Sequence, residues 1–600
     1  MISVPIESPA GPPVMNASRR PNFILFITDQ HRADFLGCYG HPVLRTPHID
    51  SIAARGTSFD KFHVASPVCQ PNRASLMTGR MPSVHDVRSN GIPLSMNSVT
   101  FVDLLRDAGY RTALVGKSHL QNFTDWDALV RRPPPRDGFH EPAPGLEQAL
   151  RNDLADPKYE QETPGYWKKP GAHVRTPFYG FDHVTLVRAH GDDPGGDYDR
   201  WLDERDPSAR KLLGMENSLP HNYTVPQANR TAIPEKLYAT NFLSERACAY
   251  LDDADPDAPF FLMVSFPDPH HPFNPPGKYW DMYKPEQFEV PEAFKRNDWQ
   301  PPQLVQNIIK ARESGKANLT GMNTIGVSAR EAQEARALTC GMIACIDDAI
   351  GDVLRALDRT GRRDDTVVMF TSDHGDHLGD HRLMLKGAEQ YQSIVRVPFI
   401  WSDPQISDQP KRTDALASTM DISATVLERA RIEPYSGIQA KSFLPVMSGG
   451  AGPRNSVFIQ YDHQAPNPGT NEPARVHTLV DGRYRLSVFH GTGWGELYDL
   501  QNDPGEFDNL WDDPKHKALR GEMSERLLLT EIEQMPAAVQ DAFSHLLVEQ
   551  ENARGQVRVM TGTTASLWNG VAAGTFSERL FYQLNVLHLV ATDQIGRAHV

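Results

Sequence analysis

Four short apolar runs, each ending in residues able to hold a metal, a proton or an anion, constrain this chain more than any bulk property. "FILFITDQ" ends in Asp29 and Gln30, and "TALVGKSH" ends in Lys117 and His119. "FFLMVSFPDPHH" runs into His270 and His271, and "VVMFTSDHGDH" delivers Asp373, His374 and Asp376. Short runs of Ile, Val, Leu and Phe read as strands buried on both faces. Helical patterns stand between them: "RTPHIDSIAARG", with Pro47 near its first turn and Gly56 past its end, then residues 98–110, about 235–252 and about 329–358. Strands alternating with helices predict an α/β fold with a large, mostly parallel central sheet flanked by helices. In such sheets ligands bind outside the carboxyl ends of the strands. Four strands therefore aim acids, an amide, imidazoles and an ammonium at one rim.

At 600 residues the chain is too long for one small core. Residues 1–20 read as a disordered leader, without the apolar stretch of about 7–15 residues that a secretory signal needs. No run approaches the roughly 18 apolar residues that cross a bilayer, so no membrane partner is expected. Residues 21–450 read as the catalytic domain. Within it the polar, Pro/Gly-rich stretch 121–235 shows little periodicity and reads as an insertion that shapes a pocket. Beyond it, "NSVFIQYDH", "ARVHTLVDG" and "YRLSVFHG" alternate as antiparallel strands do, and 515–555 is helical in character. Residues 451–560 are accordingly a smaller α+β subdomain with an antiparallel sheet, and 561–600 an unassigned tail. The final "QIGRAHV", residues 594–600, matches what a common sequencing-adapter oligonucleotide encodes and is set aside as an artefact.

A net charge of −15 argues against nucleic acid as a partner, because binding a phosphate backbone needs a basic face. A small anionic ester remains open if the site is locally positive. Five scattered cysteines form no disulfide framework, which fits a reducing compartment and a cytoplasmic location. Oligomeric state is not readable.

Asp29, Gln30 and Asp373 offer the oxygen ligands that a hard divalent cation takes, and His374 can add a nitrogen. Cys69, in "SPVCQPNRASLMTGR", lacks the neighbouring cysteine that a redox pair or zinc cluster requires. Its surroundings match C-x-P-x-R, continued by Thr78-Gly79-Arg80. Together with "DQHRADFLGCYG", "GKSH", "DPHHPF", "SDHGDHLGDHRLMLKG" and "GELYDLQNDPGEFDNL", this makes the chain resemble the sulfatase family of the alkaline-phosphatase-like superfamily over about residues 20–510.

That resemblance implies a specific chemistry. A maturation enzyme would oxidise Cys69 to formylglycine, whose hydrate attacks sulfur and then expels sulfate from a hemiacetal through its second hydroxyl, a release that a serine ester lacks. Asp29, Gln30, Asp373 and His374 resemble the metal ligands, with residue 69 as a further one. The ion would be Ca²⁺ in the first instance, with Mg²⁺ or Mn²⁺ as alternatives. Arg73 resembles the arginine that steadies the nucleophile. Lys117 and His119 match the Gly-Lys-x-His motif, and His119 would assist hemiacetal breakdown. His270 fits Pro-His-x-Pro through Pro272, which leaves His271 out of register, and Lys386 in "LMLKG" matches the lysine on the ester oxygens. His270 or Lys386 would protonate the leaving alcohol. Many relatives carry Asp-Asp where this chain has Asp29-Gln30, and Asp-Asn where it has Asp373-His374. His374 also occurs in relatives acting on phosphonate or phosphate esters. The expected activity is sulfate-ester hydrolysis, with a phosphonate monoester or phosphodiester hydrolase, or a silent oxyanion-binding protein, as alternatives. Asp376, His377 and His381 are expected in supporting roles, His190 as a plain loop histidine, and Cys340 and Cys345 as core packing.

Overall fold

The computed structural model describes residues 20–125, 138, 157–406, 411–466 and 473–534. Residues 1–19 of the expected leader, the part of the expected helical stretch beyond residue 534 and the tail lie outside the described residues, as does much of 126–156.

Eight strands form the main sheet: β1 (Asn22–Thr28), β2 (Thr57–Phe59), β3 (Arg111–Lys117), β4 (His183–Val187), β5 (Phe260–Ser265), β6 (Thr366–Ser372), β7 (Phe399–Ser402) and β8 (Arg412–Thr413). Their order is β8-β2-β7-β6-β1-β5-β3-β4. The pairings β6–β1, β1–β5, β5–β3, β3–β4 and β8–β2 are parallel, whereas β7 runs antiparallel to β6 and β2. The sheet is thus mostly parallel, as its apolar strands predict.

Strand β1 shows why those runs are apolar throughout. Ile24 and Phe26 point into one hydrophobic cluster, while Phe23, Leu25 and Ile27 point into another on the opposite face. With helices on both faces, neither set of side chains can be polar. The helices are α1 (Pro47–Ala54), α2 (Cys69–Thr78), α3 (Phe101–Asp107), α4 (Ala239–Asp252), α5 (Ala329–Arg359) and α6 (Asp421–Arg429). Helix α5 starts at a capping box between Ser328 and Glu331 and buries Leu338, Ile343, Ile346, Ile350 and Leu357 on the β1 Ile24 side. Cys340 and Cys345 are buried in the same core.

The 121–235 stretch departs from its reading as an aperiodic insertion. It supplies β4, the edge strand of the main sheet, and the helix Asp197–Arg205. "HVTLV" is five residues long, too short to stand out among the surrounding Pro, Gly and Asp.

After the main sheet, β9 (Ser456–Pro466), β10 (Pro473–Asp481), β11 (Tyr484–Phe489) and β12 (Gly495–Asp499) form an antiparallel meander, followed by α7 (Lys517–Gln534). Met523 and Leu527 of α7 pack on Leu479, Leu486 and Leu497 of the meander. Ala65, Met81 and Met420 of the larger unit join that cluster, so the meander is fastened to the main body.

Candidate active site

Strands β6, β1, β5 and β3 lie side by side and parallel, so their carboxyl ends meet at one edge. Thr28 is level with Ser372, which brings Asp29 and Asp373 together one residue later. Backbone bonds Asp29 N to Asp268 O (3.2 Å) and Asp373 N to Thr28 O (3.1 Å) extend the ladder into the site. At Gly116 on β3, φ is +119° and a Cβ would overlap the Ser265 carbonyl. A larger residue there would push Lys117 away from its neighbours.

Cys69 opens helix α2, after an extended Val68. Asn72, one turn in, locks the helix to the sheet. Its amide donates to Asp373 O (2.6 Å), while its oxygen accepts from Ala65 N (2.9 Å) and Thr419 Oγ1 (2.7 Å). Cys69 Sγ then lies 3.1 Å from His374 Nε2 and 3.7 Å from Asp29 Oδ1. Ligand atoms of Asp29, Cys69, Asp373 and His374 all fall within 4.8 Å of one another, and all four residues are buried.

The donor set fits a divalent cation. Two carboxylates supply hard oxygens. His374 Nδ1 donates to Gly375 O (2.9 Å), which leaves the Nε2 lone pair facing the cluster. Burial, and then Lys386, push the His374 imidazole down to about 4, so it stays neutral.

Cations surround these carboxylates. Arg73 Nε donates to Asp373 Oδ2 (2.8 Å), and its Nη1 donates to Lys117 O (3.0 Å) and Ser265 Oγ (2.9 Å). Its Nη2 has no hydrogen bond among the described residues and lies 3.8 Å from Asp29 Oδ2. Lys117 Nζ donates to Asp29 Oδ2. Burial opposes charge on Asp29, but Lys117 and then His270 outweigh it and hold the carboxyl well below its ordinary range. Burial, reinforced by Asp29, pushes the Cys69 thiol up to about 11.

Imidazoles fill the remaining sides. His270 Nδ1 donates to His271 O (2.6 Å), and its Nε2 faces Lys386 Nζ at 2.8 Å. Lys386 Nζ also donates to Gln30 Oε1 (2.5 Å). The Gln30 amide nitrogen donates to Asp376 Oδ2 (2.5 Å) and faces His271 Nδ1 (3.1 Å), so its oxygen is the atom available to the site. Asp376 also accepts from Leu378 N and Leu385 N. His377 faces Ser393 Oγ and Glu389, and His381 stacks on Tyr391, both away from the ligand cluster. His119 is buried with neither ring nitrogen partnered among the described residues, and burial holds it well below the usual imidazole range.

One expectation is corrected. His190 is not a plain loop histidine: its Nε2 lies 3.3 Å from Asp29 Oδ2 and 2.5 Å from Lys117 Nζ, and its ring stacks on His270 at 3.6 Å. The available signal was its position three residues after β4, the same strand-end placement as the other site residues. Phe123 and Glu162 were also missed. Phe123 packs edge-on against His119 (4.4 Å) and His190 (5.8 Å), and nothing in its residue type announces that.

This geometry accords with the comparisons. The sulfatase family model matches residues 21–432, well over half of the chain. The chain belongs to the sulfatase family. Its enzyme class is that of the sulfuric ester hydrolases, and its fold is alkaline-phosphatase-like. A second match, to the C-terminal region of N-sulphoglucosamine sulphohydrolase, covers residues 377–533 and so includes the meander of this sulfatase. A third, the Sigma-54 interaction domain over 517–590, falls on α7 and on residues beyond those described. An arylsulfatase of Clostridium perfringens is 28% identical over 521 residues, 86% of this chain and 95% of the relative. The multifunctional alkaline phosphatase superfamily protein PehA of Trinickia caryophylli is 28% identical over 529 residues, 85% of this chain and 95% of its own. The phosphonate monoester hydrolase of Agrobacterium radiobacter superposes with a TM-score of 0.68 at 24% identity, covering 86% of this chain and 96% of that one.

Proposed function

We propose that this sulfatase hydrolyses sulfate esters to sulfate and an alcohol, using a nucleophile made from Cys69 and one divalent cation held by Asp29, Gln30, Asp373, His374 and residue 69. The observation that carries the reading is Cys69 Sγ standing among the Asp29, Asp373 and His374 ligand atoms. Ca²⁺ suits the carboxylates best, with Mg²⁺ or Mn²⁺ as alternatives. When bound, the cation supplies Lewis-acid polarisation of an ester oxygen, and a formylglycine at residue 69 supplies a hydrated aldehyde as nucleophile.

The chain's own residues do the rest. Arg73 and Lys117 place positive charge beside residue 69, where negative charge gathers on the sulfuryl oxygens. Lys386 Nζ and His270 Nε2 stand 2.8 Å apart, and either is placed to pass a proton to the departing alkoxide. His270 keeps that orientation because its Nδ1 is committed to the His271 carbonyl. His119, whose ring nitrogens have no hydrogen-bond partner among the described residues, takes the proton that leaves during product release. The buried surroundings keep bulk water from competing. A formylglycine-generating enzyme is the implied maturation partner. The five unpaired cysteines favour a cytoplasmic location.

A second reading, hydrolysis of phosphonate monoesters or phosphodiesters with the same nucleophile, is favoured by Gln30 beside Asp29, His374 beside Asp373, and the likeness to PehA. One experiment separates the readings. Protein co-expressed with a maturation enzyme is analysed for a loss of about 18 Da at the Cys69 peptide, the difference between thiol and aldehyde, and assayed on matched sulfate, phosphate and phosphonate esters. Conversion with preferred sulfate turnover is the expected result. Full activity without conversion would remove the nucleophile from the proposal, and preferred phosphonate turnover would select the second reading.

A further inference from the structure

Glu162 lies in "KYEQETPG", inside the polar stretch read as a pocket-shaping insertion, and its carboxylate is fully buried. Oε2 accepts from His119 N (2.8 Å), and Oε1 accepts from Leu120 N and Gln121 N (both 3.0 Å). Three successive backbone N–H groups converge on one carboxylate immediately beyond β3. The same junction is tied twice more. Gln161 N donates to Gln121 Oε1 (3.0 Å), and Gln121 Nε2 donates to Lys158 O (3.1 Å). Trp167 Nε1, donating to Gln161 O at 2.8 Å, backs the clamp from outside.

The residue held this way is unusual. His119 has φ +54°, a left-handed conformation that a non-glycine side chain adopts only under constraint. Its buried ring nitrogens have no hydrogen-bond partner among the described residues, so they supply no anchor there. Phe123 at 4.4 Å fixes the ring plane from one side only.

We propose that Glu162 is a positioning residue, whose carboxylate holds the His119 backbone in its left-handed turn and so aims the imidazole at the reacting centre. The proposal rests on the sulfatase reading for what His119 does, but not for how His119 is held. A carboxylate suits the task because it offers only acceptors. Glutamine would turn an N–H₂ toward one of the three N–H groups and release that end of the turn.

Glu162→Gln is therefore expected to lower kcat by about 10–100-fold, the cost of a displacement near 1 Å, with KM unchanged. The double variant Glu162→Gln/His119→Ala should be no slower than His119→Ala alone, because both act through one ring. Hydrogen exchange of the peptide spanning 118–122 should quicken in Glu162→Gln, whether or not the ester under assay is the right one. Cys69 conversion and bound metal should stay at wild-type levels. Wild-type kcat in Glu162→Gln, or losses that multiply in the double variant, would overturn the proposal. Should Glu162→Gln fail to fold, Glu162→Asp, with the charge kept on a shorter arm, gives the same comparison. Quickened exchange with an inactive parent enzyme would indict the sulfatase reading and leave the positioning intact.

Discussion

Arg485 in the meander and Arg73 at the sheet edge are both almost completely buried, and for different ends. In the meander, Arg485 Nε donates to Glu506 Oε1 (2.5 Å), and its Nη1 donates to Glu496 Oε2 (3.0 Å) and Ser487 Oγ (2.7 Å). The Tyr391 and Tyr498 rings lie 5.3 and 4.8 Å from its centre. Glu506 reaches on to Gln392 N (2.6 Å), so the cluster staples β11 and β12 to the loop that follows Lys386. One cation meets two carboxylates and two aromatic faces. At the sheet edge, by contrast, Asp29 and Asp373 face Arg73 and Lys117, with Lys386 on the neighbouring Gln30 and His270 and five imidazoles around them. Arg73 Nη2, both His119 nitrogens and His271 Nε2 have no hydrogen-bond partner among the described residues. Buried polar atoms are expensive to leave unpaired. Arg485 Nη2 and the Tyr391 and Tyr498 hydroxyls are likewise without a partner among the described residues, so what sets the sheet-edge cluster apart is its three cations and five imidazoles gathered around two ligand carboxylates, surroundings suited to an anion.

The sharpest way to break this contrast is at Asp373. Asp373→Asn keeps the side-chain shape while removing a charge, and bound metal and turnover should fall together, turnover by on the order of 10⁴-fold. Chelation of the wild type should reproduce the loss, and a variant with normal metal content and rate would void the ligand set. His119→Ala should lower steady-state turnover by about 10²–10⁴-fold. Rapid quench should show one fast equivalent of alcohol, with about 80 Da of SO₃ retained on the enzyme. Slow turnover without a burst would exchange the roles of His119 and His270.

The staple should respond in the opposite sense. Arg485→Ala strands two buried carboxylates and should cost about 3–5 kcal/mol of stability in a denaturant titration, with kcat of the folded fraction little altered. A large kcat loss at unchanged stability would place Arg485 in the catalytic machinery. The smallest effect belongs to Ser328→Ala at the start of α5, about 1 kcal/mol, because the cap satisfies a single N–H.

Much of this was legible in the chain. The strands β1, β3, β5 and β6 announce themselves because burial on both faces demands uninterrupted apolar residues, as in "NFILFIT" and "TVVMFTS". The site residues that follow them are legible for the same reason: a parallel sheet has one carboxyl edge, and strand ends must meet there. Helix α5 was legible from its helical pattern at about 329–358, and the structure adds a Ser328–Glu331 cap at its start. Edge strand β4 was not, since five residues carry too little pattern, and with it went the role of His190.

Local order in the chain thus dictated which residues can become strands, where they stop, and which reactive groups stand at their ends, because those properties depend on neighbours a few positions away. It could not dictate that His190 would meet Asp29 across 161 positions, or that Glu162 would reach back 43 to clasp His119. Residue type is a poor guide there. A histidine after a loop and a glutamate in a polar segment look the same whether they face water or a buried turn. What separates them is the closing of the sheet, which removes water from one side chain and leaves it only the partners that folding has brought within about 3 Å.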